Sequence, residues 1–502
     1  MSVPDERRTH KGLTLTALVL CLAMAALEAT VVATAMPTVT GDLGGIQYYS
    51  WVTNAYLITS AITVPIFGKL ADLHGRKPVL LAGIVIFLFG SVASGAATSM
   101  PALIVFRAIQ GLGAGAMQPM PITIIGDIFG IEERARLQGF FGAAWGFFGL
   151  VGPIIGGVIV ENVSWRWVFY MNLPFGFAAA ALLVTALHER VEKKKRRLDL
   201  AGAFLLASFV TALLLASSGV HDKAEWAFVL ATALLLAGFL FVERRAEEPL
   251  LPLSLFTRRV IALSSTIGAI IGGAMIAILT YVPLFIQGVR GGTPTQAGSS
   301  ITPMLVTWPI ASTLSGRILP RVGFRALVRF GMACTAVAAV ALPFAAEQGP
   351  LALRVVTGLF GLGMGSANTA LVISVQTSVQ WEQRGVATAS TMFFRTIGGA
   401  VAVGVMGGVI VTALGKDTSL PKDAASRALS REGMSTLGPD VVQRISGLLD
   451  AGLGTVFGMI AALGVTAFVA AMFFPDVPML APAAKAAARE VAKEAAAPPA
   501  AQ

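Results

Sequence analysis

The sequence predicts an all-α membrane protein with 14 transmembrane helices. Three observations carry that prediction. Of the 502 residues, 55% are hydrophobic and 13% charged, with a mean hydropathy of +0.77, whereas soluble domains carry about 25% charged residues. The apolar residues gather into fourteen runs, most of them near the length of about twenty residues that spans a bilayer as helix. Most of the 37 Lys and Arg residues lie in loops on one side of those runs, as positive-inside topology requires.

The first six runs are 12–36, 48–67, 79–98, 102–126, 138–160 and 167–187. Two follow at 200–217 and 226–242, and six more at 260–286, 297–319, 327–346, 351–375, 387–411 and 453–474. The basic loops place both termini in the cytoplasm of a multi-pass plasma membrane protein, at the inner membrane of a bacterium. Residues 1–11 are polar and basic, and the first run reads as a retained helix. The stretch Lys193-Lys194-Lys195-Arg196-Arg197 reads as a topology anchor, with a lipid-binding patch as the sharper alternative. A long outer loop spans 412–452, and its apolar Val441, Val442, Ile445, Leu448 and Leu449 suggest a short interfacial helix.

Composition also excludes. Cys21 and Cys334 stand alone in apolar runs, and the four histidines have no zinc spacing, so neither a disulfide framework nor a metal is expected. The net charge of +10 points to anionic lipid headgroups and not to nucleic acid, because the basic residues flank membrane spans. No gathered acids or histidines suggest an enzyme, no charge ring suggests a channel, and no Walker loop suggests ATP-driven transport. No cofactor is implied.

Between the second and third runs lies Gly68-Lys69-Leu70-Ala71-Asp72-Leu73-His74-Gly75-Arg76-Lys77-Pro78. Gly68 and Gly75 permit a turn, and Pro78 suits the start of a helix. The order closely resembles the loop between helices 2 and 3 of the major facilitator superfamily, G-x-L-a-D-r-x-G-r-k. That resemblance implies a latch between the two halves of a transporter, with Asp72 and Arg76 as gating residues and Asp127 and Arg136 completing a cytoplasmic charge network. A solvated loop is the plainer reading of those charges.

The chain repeats itself. Gly316 to Arg325 echoes 68–77, Arg354 with Gly358 echoes Arg107 with Gly111, and Glu382-Gln383-Arg384 echoes Glu132-Glu133-Arg134. Two six-helix halves are expected, at 1–190 and 256–475, with two inserted helices within 191–255 and a disordered cytoplasmic tail over 476–502. This 6 + 2 + 6 plan resembles the 14-span drug:proton antiporters.

Glu28 is an acid inside the first run, and such a residue is costly in a membrane and functional by default. At 1.5 Å per residue it lies about 12 Å from the outer end, and Arg107 of the fourth run about 9 Å in, so the two can pair. Two readings follow: a structural ion pair, or a carboxylate that titrates. Burial favours the neutral form of a carboxyl and a nearby cation the charged form, and alternating access changes both. The segment around Glu28 resembles the helix-1 motif l-D-x-T-v-v-n-x-A-l-P of the 14-span family, with Glu28 for its Asp and Ala33 for its Asn. Arg107-Ala108-Ile109-Gln110-Gly111-Leu112-Gly113 resembles the helix-4 motif in which the Arg is tied to proton transfer. It also matches a dinucleotide fingerprint, spuriously, because no strand precedes it.

Gly149, Gly152, Pro153, Gly156 and Gly157 in the fifth run make a flat packing face. They resemble the G-x-x-x-G-P-x-x-G-G motif of the superfamily's antiporters, which implies export. Candidates to line an apolar, aromatic substrate cavity are Tyr56, Met117, Gln118, Trp145, Tyr281, Trp308 and Asn368, although packing suits each one individually. Arg395 lies inside the thirteenth run, whose half has no in-span acid. It is either structural, against backbone carbonyls, or a contact for an anionic lipid or substrate headgroup.

The reading of the whole is a proton-coupled exporter (antiporter) of hydrophobic or cationic drug-like compounds, a multidrug efflux protein, monomeric and surrounded by membrane lipids. The alternative is a lipid or glycolipid exporter on the same scaffold.

Overall fold

The computed structural model describes residues 9–117, 119–129, 131–189, 199–217, 225–246, 249, 251–380, 383–417, 420–421, 423–429 and 435–477. The secondary structure of those residues is helical. The first stretch contains α1 (Lys11–Leu43), α2 (Tyr49–His74), α3 (Arg76–Gly95), α4 (Met100–Met117), α5 (Pro119–Ile128), α6 (Ile131–Asn162), α7 (Trp167–Tyr170) and α8 (Asn172–Ala186). There follow α9 (Leu200–Ser217), α10 (Glu225–Glu243), α11 (Arg259–Gly288), α12 (Pro294–Gln348), α13 (Pro350–Thr377), α14 (Arg384–Leu414), α15 (Ala424–Arg427) and α16 (Pro439–Met472). All fourteen predicted runs fall on helix. Among the described residues, ten helices are long and apolar enough to cross a membrane, and two shorter apolar ones lie at Gly146–Asn162 and Ala201–Leu213.

The loops are shorter than the sequence suggests. Gly68 sits inside α2, and the chain reverses at Gly75 alone, with φ 94°. Only glycine adopts that left-handed backbone without strain. The echoing loop does the same: α12 holds two predicted runs, bent at Gly323 with φ 80°. The expected interfacial helix near 441–449 does not stand apart. Pro439 opens α16, which continues unbroken to Met472, and Ile445 and Leu449 are buried on the face that also carries Leu453 and Val456. A proline at the first helical position and a continuous apolar stripe favour one long helix over a short one.

Close approach of helices explains the glycines of α4. Added side chains at Gly111 and Gly115 would strike Thr59 and Thr63 of α2, while one at Gly113 would strike Gly83 and Phe87 of α3. Residues four apart share a helix face and a residue between them points away. Alternate glycines therefore let α4 lie against α2 and α3 at once. The pattern recurs 250 positions on: Gly361 meets Met304 and Thr307, Gly363 meets Gly331 and Thr335, and Gly365 meets Trp308 and Ala311. In lipid, where burying apolar surface gives no drive to associate, such contact supplies van der Waals attraction.

Call the end where α1 begins the near end and the end where it finishes the far end. Helices α1–α8 meet α11–α16 along three seams, α1 on α11, α2 on α14 and α6 on α12. The far end is tightly joined. Tyr49 donates to the Thr280 carbonyl at 3.0 Å, Gln287 donates to the Thr34 carbonyl at 3.0 Å, and the Ile46 amide donates to Ser426 at 3.0 Å. The pair α9–α10 packs on the α2–α14 seam through Leu206, Val210 and Phe239 against Ile58 and Ala400. Its outer face exposes Phe204, Trp226, Leu230 and Leu234, as a lipid-facing surface does.

Gly113→Leu and Gly363→Leu should each abolish monodisperse protein in detergent, because overpacking a tight core costs about 1–3 kcal/mol or more. Gly454→Leu should be silent, since nothing lies within 4 Å of its added carbon. Size-exclusion profiles and melting curves check this.

Candidate site at the Glu28–Arg107 pair

Glu28 lies in the middle of α1, which is buried on nearly every side there and offers the carboxylate no water. Helix α4 runs antiparallel and brings Arg107 to the same depth. Both residues are 2% exposed. Arg107 Nη1 donates to Glu28 Oε1. The second carboxylate oxygen accepts from Gln110 Nε2 at 2.9 Å and from Asn172 Nδ2 at 2.8 Å. Arg107 also donates to Gln110 Oε1 at 2.7 Å and, from Nε, to the Val52 carbonyl at 3.4 Å. Its guanidinium lies over the Tyr56 ring at 4.5 Å and the Phe169 ring at 5.9 Å.

One hydroxyl closes the network. Ser91 accepts from Gln110 at 3.2 Å and from Asn172 at 3.0 Å, and donates to the Phe169 carbonyl at 2.8 Å. Asn172 Oδ1 is buried without a partner. Six elements, α1, α2, α3, α4, α7 and α8, thus hold one charge pair. Among the described residues no group of His, Cys, Asp and Glu could hold a metal.

Asn172 and Ser91 were not among the expected site residues, and Gln110 figured only within a motif. Asn172 has a faint signal: a polar side chain at the start of an otherwise apolar helix, α8. Ser91 has none, since a serine within an apolar run is ordinary.

A family model described as Major Facilitator Superfamily matches residues 18–403. The chain belongs to the major facilitator superfamily. It is 37% identical over 467 residues to the multidrug transporter protein MdtP of Bacillus subtilis (strain 168), covering 88% of this chain and 86% of that one. It is 33% identical over 399 residues to multidrug resistance protein 3 of the same organism, with 78% of each covered. Efflux pump dotC of Dothistroma septosporum (strain NZE10 / CBS 128990) is 30% identical, with 77% of this chain and 69% of that one covered. Among solved structures, a bacterial homolog to human lysosomal transporter Spinster in an inward-facing, unoccupied conformation superposes with TM-score 0.66 at 14% identity, covering 96% and 100%. A D-xylose-proton symporter does so with TM-score 0.59 at 16% identity, covering 93% and 97%. The chain is a multi-pass membrane transporter of this fold and not an enzyme.

At the near end the superfamily loop is tied within α1–α8. Arg76 Nε lies 2.7 Å from Asp127 Oδ2, and Nη1 lies 3.6 Å from Glu189 Oε1. Glu189 also caps α3, accepting from the Arg76 and Lys77 amides at 2.9 Å each. A carboxylate there meets the positive end of the helix dipole. Glu189 was not foreseen: it follows its helix by three residues and reads as loop. The side chains of Asp72 and Arg136 lie outside the described residues.

The glycine motif of α6 is a joint. Side chains at Gly152 and Gly156 would strike Thr30, Val31 and Thr34 of α1, a turn above Glu28, and one at Gly157 would strike Thr295 of α12. Pro153 meets Gly298 of α12 from the same segment. Gly149 is buried on this helix as well. The motif therefore seats α6 on the acid-bearing helix and on the opposite set of helices at once.

The expected cavity residues scatter. Tyr56 stacks under Arg107. Met117 is buried in a cluster with Leu18 and Cys21. Tyr281 is fully buried, donates to the Val403 carbonyl at 2.6 Å and stacks on Tyr49 at 6.3 Å. Trp308 is half-buried on α12, and Asn368 bonds Arg395 at 3.3 Å. Gln118 and the Trp145 side chain lie outside the described residues.

Glu28→Leu strands Arg107 and should lower stability by about 3–5 kcal/mol, the usual result of removing one partner of a buried pair. The double variant Glu28→Leu/Arg107→Met should recover roughly half of that loss, because no unpaired charge remains. Thermal unfolding in detergent checks both.

Proposed function

We propose that this protein is a proton-coupled exporter of hydrophobic or cationic drug-like compounds, working by alternating access in a plasma membrane. In this reading the near end is cytoplasmic, as are both termini. The chain crosses fourteen times as two six-helix halves with α9–α10 inserted between them. It works as a monomer among membrane lipids. The observation that carries the proposal is the Glu28 carboxylate, held by three donors where no water reaches it. The names of the multidrug relatives support the cargo class, and the α6 joint supports a moving seam beside the acid.

The chemistry follows from charge. Ionised Glu28 neutralises Arg107 and ties α1 to α4 and α8. A proton on Oε2 would add a donor facing the Gln110 and Asn172 amides and cut the oxygen's acceptor capacity, so it could no longer hold both contacts as the carboxylate does. Arg107 would be left uncompensated, a state of several kcal/mol in low dielectric. The halves then rearrange until solvent or carbonyl oxygens meet the cation. Cargo leaves outward in the rearranged state, and loss of the proton to the cytoplasm restores the pair.

Ethidium efflux from proteoliposomes under an imposed pH gradient tests this. Wild type should transport, and Glu28→Gln should lose gradient-driven efflux by at least about tenfold while still eluting as a folded protein. Equal transport by both would reduce Glu28 to a structural partner of Arg107. If wild type moves nothing under the gradient, drug export fails and lipid cargo takes its place.

A further inference from the structure

The two sets of helices treat their buried arginines in opposite ways. Arg107 is paired with an acid and bonded to Gln110 and the Val52 carbonyl. Arg395 projects from α14 with its stem over Gly272 of α11, where an added methyl would lie 2.7 Å from its Cγ. Among the described residues its one hydrogen bond runs from Nη1 to Asn368 Oδ1 of α13, at 3.3 Å. A guanidinium has five N–H donors, so most of them are unused. The Asn368 amide, with two donors of its own, makes no other bond among the described residues. Both side chains are half-buried, and none of their nitrogens is among the fully buried polar atoms that lack a partner.

Among the described residues no acid pairs with Arg395. The chain has no Asp or Glu from 249 to 346 or from 383 to 416. Of the two acids between those stretches, Glu347 stands at the end of α12, and Glu382 lies outside the described residues. Among the described residues no backbone carbonyl takes up Arg395 in place of an acid. Glu28 is already held by Arg107, Gln110 and Asn172. A cation inside a membrane span without a counter-charge is unfavourable, and such residues mark ligand paths. A guanidinium with unused donors beside an amide with two more suits an anionic oxygen group.

We propose that Arg395 and Asn368 form a binding site for an anionic group, a carboxylate, sulfonate or phosphate, carried on an apolar body. Phe393, Phe394 and Ile397, beside Arg395 in sequence, pack toward α2 and α9–α10; the position of Arg395 inside an apolar span suits an amphipath whose head meets the guanidinium. The protein therefore accepts amphipathic anions as well as the compounds proposed above. A soluble amphipath and an anionic phospholipid offer the same chemistry to this site. The inference concerns binding alone and stands independently of proton coupling at Glu28.

The test uses the full-length protein in maltoside micelles with no gradient, and compares cholate with its methyl ester. The two share one steroid body and differ in the charge. Wild type should bind cholate about tenfold more tightly, the effect of one charge-assisted contact. Arg395→Gln should bind both alike, and Arg395→Lys should keep part of the preference. Asn368→Asp gives a second route should Arg395→Gln not fold: it supplies an internal counter-charge and should erase the preference with Arg395 intact. Added phosphatidylglycerol that displaces cholate from wild type identifies a lipid headgroup as an occupant. Failure to displace it identifies soluble amphipaths alone. The proposal is overturned if wild type shows no preference for the acid, or if both Arg395→Gln and Asn368→Asp retain it. Loss of gradient-driven ethidium efflux in Glu28→Gln bears on the proton pathway and leaves this result untouched.

Discussion

A buried arginine cannot be left alone in a membrane, and a buried glutamate cannot be left charged beside nothing. The Glu28–Arg107 pair satisfies both constraints, and much of the first set of helices is arranged to let it. Two helices, α4 and α8, supply three donors to one carboxylate, a third supplies Ser91 to hold two of those donors, and two aromatic rings cover the guanidinium. Such a network is stable only when complete, because each member left unpaired in low dielectric is penalised. The same property makes it a two-state element. In the proposed mechanism one proton on Glu28 would disturb several contacts together instead of weakening them by degrees.

A local event must move helices to matter, and the packing offers the means. The glycines of α6 bring it within reach of α1 beside the acid and of α12 across the seam. Small residues at a crossing leave few interlocked side chains to break when helices rock. The far end resists such motion in this conformation, with Tyr49, Gln287 and Ile46 each bonded across the seam. The near-end bonds of Arg76 and Glu189 instead stay within α1–α8. This contrast describes a molecule closed at one end, and the loop of the superfamily motif holds its own half rigid there.

Much of this was legible in the sequence, for physical reasons. Apolar runs of about twenty residues mark helices reliably, since lipid tolerates no unsatisfied backbone. Glu28 and Arg107 stood out because charge inside such runs is rare, and counting residues along antiparallel helices placed them at one depth. Asn172, Ser91 and Glu189 did not stand out. Their meaning depends on partners 19 to 144 positions away, which no local pattern encodes. Tyr281 misled in the other direction: an aromatic in a span suggests a cavity wall, whereas its hydroxyl is bonded and its ring stacked within sealed packing. The helix near Val441 failed as a separate element because periodicity cannot tell a surface helix from the first turns of a long one. The repeat was visible as echoing motifs, but its packing content, alternate glycines on opposite faces of α4 and α13, required coordinates.

The central claim is that Glu28 changes protonation while buried. Infrared difference spectroscopy on purified protein, stepping from neutral to acid pH, reads this directly. A protonated-carboxyl C=O stretch should appear in wild type and be missing from Glu28→Gln. If the wild-type and Glu28→Gln difference spectra match in that region, Glu28 stays ionised throughout. The pair would then be a structural brace, and the proton would travel elsewhere.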